Sequence, residues 1–438
     1  MIKKYFKQAW WLLKENKLYS TIYIIGTALA ICMVMAISVF IHIKCGNIEP
    51  EVNRSRSLYT QGVTIISKDG ADKGTSSAFS SLQTVREIFY PLQSAEVVTA
   101  YLVPFGEDYT VSRVGDTKKR PLVIKFTDAN YWKAFRFDFI EGVPYDDAVF
   151  SAGDKKIVID EMTSRRLFNG ASAIGESLIL NGELYKVTGV VRNRSYLLND
   201  TFANAWVPYT TNGKYEDPFD REGILGFYNV IVVAPSAAHF AEVRKEVEDN
   251  LRRYEEGLSY NIDLKGQPDD AFTTAFRIGN YALNINKVKW TFAIMLLIFA
   301  LVPLLNLSGL NSSRMEKRAS EFGVRKAFGG TRGQLTVQLI TENLLLTVLG
   351  GLLGFIISYF LLQYISTTLV SPLIMVSSSD VYSTFSDNAG ITSGMMLNLE
   401  VFLVALVAVF VINMLSTLIP SYRYAKRNIV DSLSEHKH

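Results

Sequence analysis

The chain has 438 residues, 49% of them hydrophobic and 20% charged, with a mean hydropathy of +0.16. That balance lies between a soluble domain and a transporter built almost wholly of bilayer spans, so part of the chain belongs in water. A formal net charge of only +3 without a basic arm excludes nucleic acid as a partner, and two cysteines exclude a disulfide framework.

Residues 1–20 carry Lys3, Lys4, Lys7, Lys14 and Lys17 and read as a cytoplasmic segment. Thr21 to Ile43 then runs without a charge, long enough for a membrane helix, which needs about 20 apolar residues to satisfy its own peptide groups across about 30 Å of hydrocarbon. A cleaved signal peptide is the competing reading, but the run exceeds a usual signal core and no small-x-small site follows it. Cys32 and Cys45 lie in or beside this segment, and Cys45 lacks the leucine and small-residue run that precedes a lipidated cysteine.

Residues 44–289 form the long polar region. Leu178 to Val187 alternates apolar residues around Asn181-Gly182, a strong hairpin signal because both turn residues tolerate positive φ. Ala237 to Tyr254 sets Phe240, Val243, Val247 and Leu251 on one helical face, and Phe79 to Phe89 gives a shorter amphipathic run. The fold class predicted is an α-helical membrane protein with four transmembrane helices plus a large mixed α/β extracytoplasmic domain. A membrane-proximal lobe is expected over about 44–101 and 230–289, with an inserted lobe over about 102–229. A helix over Phe272 to Lys289 is expected to run directly into the second span.

That second span is 290–310, interrupted by Pro303 and Asn306; the third is 335–369, with Glu342 at its start, and the fourth is 397–419. The loop 311–334 holds Arg314, Lys317, Arg318, Arg325, Lys326 and Arg332, and the tail 420–438 adds Arg423, Lys426, Arg427 and Lys437. The external loop 370–396 has no lysine or arginine. Positive loops stay inside, so both termini are expected in the cytoplasm and the large domain outside. Within 311–334, Met315, Ala319 and Phe322 share one helical face and Arg318, Glu321 and Arg325 form a charged ridge. From composition alone this is equally a snorkelling basic loop and a surface helix that docks a soluble partner.

A resemblance separates those two. Arg318, the run Glu321-Phe322-Gly323-Val324-Arg325-Lys326-Ala327-Phe328-Gly329, Glu342, and Leu349 to Gly354 look like the MacB/FtsX-type ABC transporter permeases. The tail from Pro420 to Leu433 is similar to that family's closing pattern, although Ile429 stands where proline is usual and Lys317 and Ser320 also depart. Asn130 to Gly142, Ile157 to Gly175 and Val187 to Val191 resemble the family's periplasmic core domain. The resemblance implies a coupling helix made by Arg318, Glu321, Phe322, Gly323, Arg325, Lys326 and Gly329, docked on a cytoplasmic ABC ATPase subunit. It also implies a dimer with a second permease copy or a paralogue, a bacterial inner-membrane location, and a possible periplasmic adaptor and outer-membrane channel.

No Gly-x4-Gly-Lys-Ser/Thr loop is present to cradle nucleotide phosphates, so no catalytic residue, cofactor or metal is expected in this chain. Four scattered histidines, His42, His239, His436 and His438, make no zinc set. Gly350, Gly351 and Gly354 form a small-xxx-small stripe, read equally as packing within one subunit and as packing between subunits. By resemblance the chain transmits ATP-driven motion to its external domain for efflux of peptides or other amphiphiles. The alternatives are lipoprotein release, an FtsX-like signalling complex that moves no substrate, and a membrane-anchored receptor without an ATPase.

Overall fold

The computed structural model describes residues 7, 10–11, 13–15, 17–68, 75–104, 108–298, 331–365, 402–411 and 414. These divide into two compact units, one drawn from Met1–Phe40, Asn286–Ile365 and Ser393–His438, the other from Ile41–Ile285. Helix α1, Lys17–Cys45, has 29 residues and reaches about 43 Å at 1.5 Å per residue. Its mean character is strongly apolar on every face, as a bilayer segment requires.

In the unit Ile41–Ile285, twelve strands make one sheet. They are β1 (Ser57–Thr60), β4 (Val97–Leu102), β5 (Tyr109–Arg113), β6 (Arg120–Leu122), β7 (Ile124–Thr127), β8 (Phe139–Gly142), β9 (Lys156–Asp160), β10 (Ser177–Leu180), β11 (Glu183–Val191), β12 (Ala205–Pro208), β14 (Asn229–Val233) and β16 (Asp269–Asp270). The order is β16-β1-β14-β4-β7-β12-β9-β11-β10-β5-β6, with β8 also on β11. Pairs β7/β12 and β9/β11 are parallel. The two expected lobes share this sheet, which continues across residue 102 through Leu102↔Phe126. A second sheet runs β13 (Leu225–Gly226), β3 (Thr75–Ser80), β2 (Val63–Ser67) and β15 (Tyr260–Asp263).

The strand period of two builds a core on each face of the large sheet. Leu58, Ala100, Phe126, Ile159, Val207 and Val232 are buried on one side, and Tyr59, Tyr101, Val158, Trp206, Ile231 and Val233 on the other. The central strands are therefore buried on both faces, mostly with apolar side chains, and the few polar ones among them, Thr99, Lys125 and Thr127, are buried as well. The Asn181-Gly182 hairpin forms as read: both residues have positive φ, 46° and 90°, and β10 pairs β11 from Ser177↔Lys186 to Leu180↔Glu183. Helix α2, Phe240–Glu255, buries Val243 and Val247.

Two expected helices differ. Phe79 lies in β3, and the helical run starts only at Leu82, where the Ser81 side chain caps the Thr84 amide at 3.0 Å. The single helix expected over Phe272 to Lys289 is broken: Ala271–Phe276 is helical, residues 277–284 are not, and helix resumes at 285. The cause is tertiary. Arg277 is extended, with its guanidinium drawn into the domain, and Gly279 follows with φ 58°.

In the other unit, helix α3, Arg332–Ile365, buries Glu342, Leu346, Gly350, Gly354, Ser358 and Leu362 at four-residue steps and exposes Leu352, Ile356, Phe360 and Tyr364. Two described helices are long and apolar enough to cross a membrane, α1 and Ile340–Tyr364 within α3. Of the second and fourth expected spans, residues 290–298 and 402–411 are described, and both stretches are helical.

Candidate functional site

The coupling-helix residues Arg318, Glu321, Phe322, Gly323, Arg325, Lys326 and Gly329 lie outside the described residues. What the structure offers instead are the two places where the chain enters and leaves the unit Ile41–Ile285.

At the first junction, α1 ends at Cys45 with orphan carbonyls in its last turn. Arg54 turns back to them. Its Nη1 donates to the Ile43 carbonyl at 2.5 Å and to the Gly46 carbonyl at 3.3 Å, placing a cation at the negative end of the helix dipole. Arg54 is held by Glu51, whose Oε2 accepts from Nε at 2.6 Å, and Glu51 Oε1 accepts from Thr201 Oγ1 at 2.7 Å. Thr201 belongs to the buried segment leading into β12, far along the chain. The helix end is thus tied through two buried charges to the middle of the domain.

The electrostatics fit a fixed strut. Burial pushes the Glu51 carboxyl up, against the pull of the Arg54 guanidinium and the Thr201 hydroxyl. Burial also opposes the Arg54 charge, but the Glu51 and Asp200 carboxylates outweigh it and hold that guanidinium above its ordinary value. Around the pair, Tyr101 OH donates to Asp200 Oδ1 at 2.6 Å and Tyr131 OH to the Asp200 carbonyl at 2.8 Å. Lys125 is fully buried, donates to the Asn199 carbonyl, and lies 4.6 Å from the Tyr101 ring centroid. Burial pushes Lys125 down to about 8, with Asp200 and Glu51 resisting.

At the second junction the pattern repeats. Arg277 Nη2 donates to Asp269 Oδ1 at 2.8 Å, Nε donates to Oδ2, and Nη1 reaches the Tyr281 carbonyl at 2.5 Å. Gln267 accepts from the Gln61 amide at 2.7 Å and donates to Asn280 Oδ1 at 2.8 Å, while Asn280 Nδ2 donates to Thr64 Oγ1 at 2.6 Å. The two junctions share one strand. Strand β1 starts three residues after Arg54, and its Tyr59 pairs with Asp269 on β16. The Glu51-x-x-Arg54 spacing just beyond the first span was available in the sequence as a signal; the Arg277–Asp269 pair carried none.

The predicted glycines sit inside one chain. A Cβ on Gly350 would lie 2.8 Å from Thr27 Cβ and 3.0 Å from the Ile24 carbonyl oxygen, and one on Gly354 would lie 2.5 Å from the Ala28 carbonyl oxygen. Gly351 faces Leu406. Buried Glu342 accepts from Gln338 Nε2 at 3.0 Å on the same helix. No three His, Cys, Asp or Glu side chains gather as metal ligands among the described residues. A cavity of about 410 Å³ is lined by Tyr90, Asp128, Lys133, Asp147, Phe150 and Tyr209. Its Asp128 carboxylate already accepts from Thr99, Ala100, Tyr90 and Tyr131, so it serves the fold.

Residues 20–250 match the MacB-like periplasmic core domain, and residues 293–429 match the FtsX-like permease C-terminal. The chain belongs to the MacB/FtsX-type ABC transporter permeases. The uncharacterized ABC transporter permease YknZ of Bacillus subtilis (strain 168) is 26% identical to this permease over 222 residues, 50% of this chain and 51% of that one. The macrolide export ATP-binding/permease protein MacB of Shewanella sp. (strain ANA-3) is 25% identical over 242 residues, 53% of this chain and 34% of that one. The permease spans about half the length, or less, of these relatives. A crystal structure of the extracellular domain of the noncanonic ABC-type transporter YknZ from Gram-positive bacteria aligns with 46% of this chain and 99% of that one, at 16% identity and a TM-score of 0.33.

Proposed function

We propose that this permease is a mechanical transmission subunit: ATP binding and hydrolysis in a separate cytoplasmic ABC ATPase move the 311–334 loop, and the spans pass that motion to the external domain. The observation that carries the reading is the first junction. An arginine that caps the end of a membrane helix and is itself anchored on a buried glutamate makes a stiff link, so displacement of α1 reaches the sheet instead of being absorbed in a loose linker. Four transmembrane helices, inner-membrane placement with both termini cytoplasmic, and a dimer with a second copy or a paralogue complete the arrangement. Arg318, Glu321, Phe322, Gly323, Arg325, Lys326 and Gly329 make the docking surface.

The work done outside is efflux of peptides or other amphiphiles, with an adaptor and outer-membrane channel as further partners; the relatives named for macrolide export support that arm. Lipoprotein release and FtsX-like signalling are the alternatives. The docking role is tested by Glu321→Lys and Phe322→Asp in the full chain expressed in its own cells, with the ABC ATPase that co-purifies with the unaltered chain as the readout. Loss of co-purified ATPase with normal membrane insertion is expected. Undiminished co-purification would refute the docking surface.

A further inference from the structure

Between the second junction and the helix that starts at residue 285, the chain forms a short knuckle whose side chains alternate in direction. Arg277 and Asn280 point inward, to Asp269 and to Thr64 and Gln267. Ile278 and Tyr281 point out, 82% and 78% exposed, and they are the two most exposed large apolar side chains among the described residues. A single exposed apolar side chain on a soluble surface is ordinary. Two together on a turn braced from beneath, with Gly279 in a left-handed conformation between them, form a rigid apolar point.

The position in the chain says what covers it. No more than about 14 Å of extended chain separates Tyr281 from the first turn of the following helix. That helix carries Lys287, Lys289 and an exposed Trp290 in its first turns, and apolar residues follow. Lysine and tryptophan before an apolar run are the residues that mark the headgroup level of a bilayer. Tyrosine and isoleucine on a braced turn suit the same layer, where an aromatic hydroxyl stays wet while its ring leaves water.

We propose that the 277–281 knuckle is a membrane-interface contact, with Ile278 and Tyr281 seated at the headgroup–acyl boundary of the leaflet that the following helix enters. The occupant is lipid, not protein. The contact would brace the second junction against the bilayer, so that movement delivered through α1 tilts the sheet about a supported edge. This inference rests on the reading of the helix from residue 285 as the start of a membrane crossing.

The experiment separates the two claims. In the full chain with Cys32→Ala and Cys45→Ser, nitroxide labels are placed at Ile278→Cys, Tyr281→Cys, Leu184→Cys and Ile294→Cys, one at a time, in vesicles of phosphatidylcholine and phosphatidylglycerol. Labels at 278 and 281 are expected to collide more with dissolved oxygen and less with an aqueous nickel chelate than the label at the exposed surface position 184. Nickel access at 278 and 281 equal to that at 184, with 294 still shielded, would overturn the contact alone. Nickel access at 294 as well would overturn the crossing and the contact together. Spin–spin broadening at 278 would place a second copy there and reject lipid as the occupant.

Discussion

Replacing Arg54 by methionine is the sharpest test of the first junction. The substitution keeps an unbranched side chain of similar reach and removes every donor. Glu51, already destabilised as an anion by burial, loses its guanidinium, and the Ile43 carbonyl loses its partner. Breaking one side of a buried ion pair costs about 3–5 kcal/mol, and an orphaned buried carbonyl adds about 1–3 kcal/mol. The lower end of that sum lowers the melting temperature of a unit this size by roughly 8–16 °C. Insertion of α1 should be unaffected, because its apolar run is untouched.

The assay is thermal unfolding of the purified full chain in detergent, followed in a double-mutant cycle with Glu51→Gln. The doubly substituted chain should recover about 2 kcal/mol relative to Arg54→Met alone, because no unpaired charge is then left buried. A melt for Arg54→Met within about 2 °C of the unaltered chain would refute the strut, given the cost expected above. So would a double variant less stable than the sum of its parts.

Two further outcomes follow from the same geometry. Gly354→Ala puts its methyl against the Ala28 carbonyl oxygen, a backbone atom that cannot swing aside, and should cost about 1–3 kcal/mol of helix packing. Gly351→Ala meets the side-chain ends of Leu406 and Ile31, which can shift, and should cost less, as denaturant unfolding in micelles would show. Lys125→Met should raise the melting temperature at pH 7. With a folded pKa of about 8 below the unfolded value near 10.4, the folded chain binds fewer protons than the unfolded chain, so this lysine's penalty of about 3 kcal/mol is full below pH 8 and fades as pH rises toward 10. The gain should therefore shrink between pH 8 and pH 10; a constant gain would point to packing alone.

Local pattern carried much of this fold. The apolar runs of α1 and α3 are helices because each satisfies its own backbone whatever lies around it, and the alternation around Asn181-Gly182 is a hairpin because two adjacent residues tolerate positive φ. Val243 and Val247 point inward from α2 because helical spacing alone puts them on one face. The motif around Glu321 to Gly329, read by resemblance as the coupling helix, lies outside the described residues.

Tertiary structure decided what depends on residues distant in sequence. The helix expected through Phe272 to Lys289 is locally sound, yet Arg277 gives up helical geometry to reach Asp269, a trade set by burial of both charges. The stripe Gly350 to Gly354 said that something would approach closely, and only the assembled helices named Ile24, Thr27 and Ala28 as the neighbours. The parallel pairs β7/β12 and β9/β11 and the tie from Ile43 through Arg54 and Glu51 to Thr201 join segments that short-range propensity cannot connect. Their formation costs loop-closure entropy that only the burial of the whole sheet offsets.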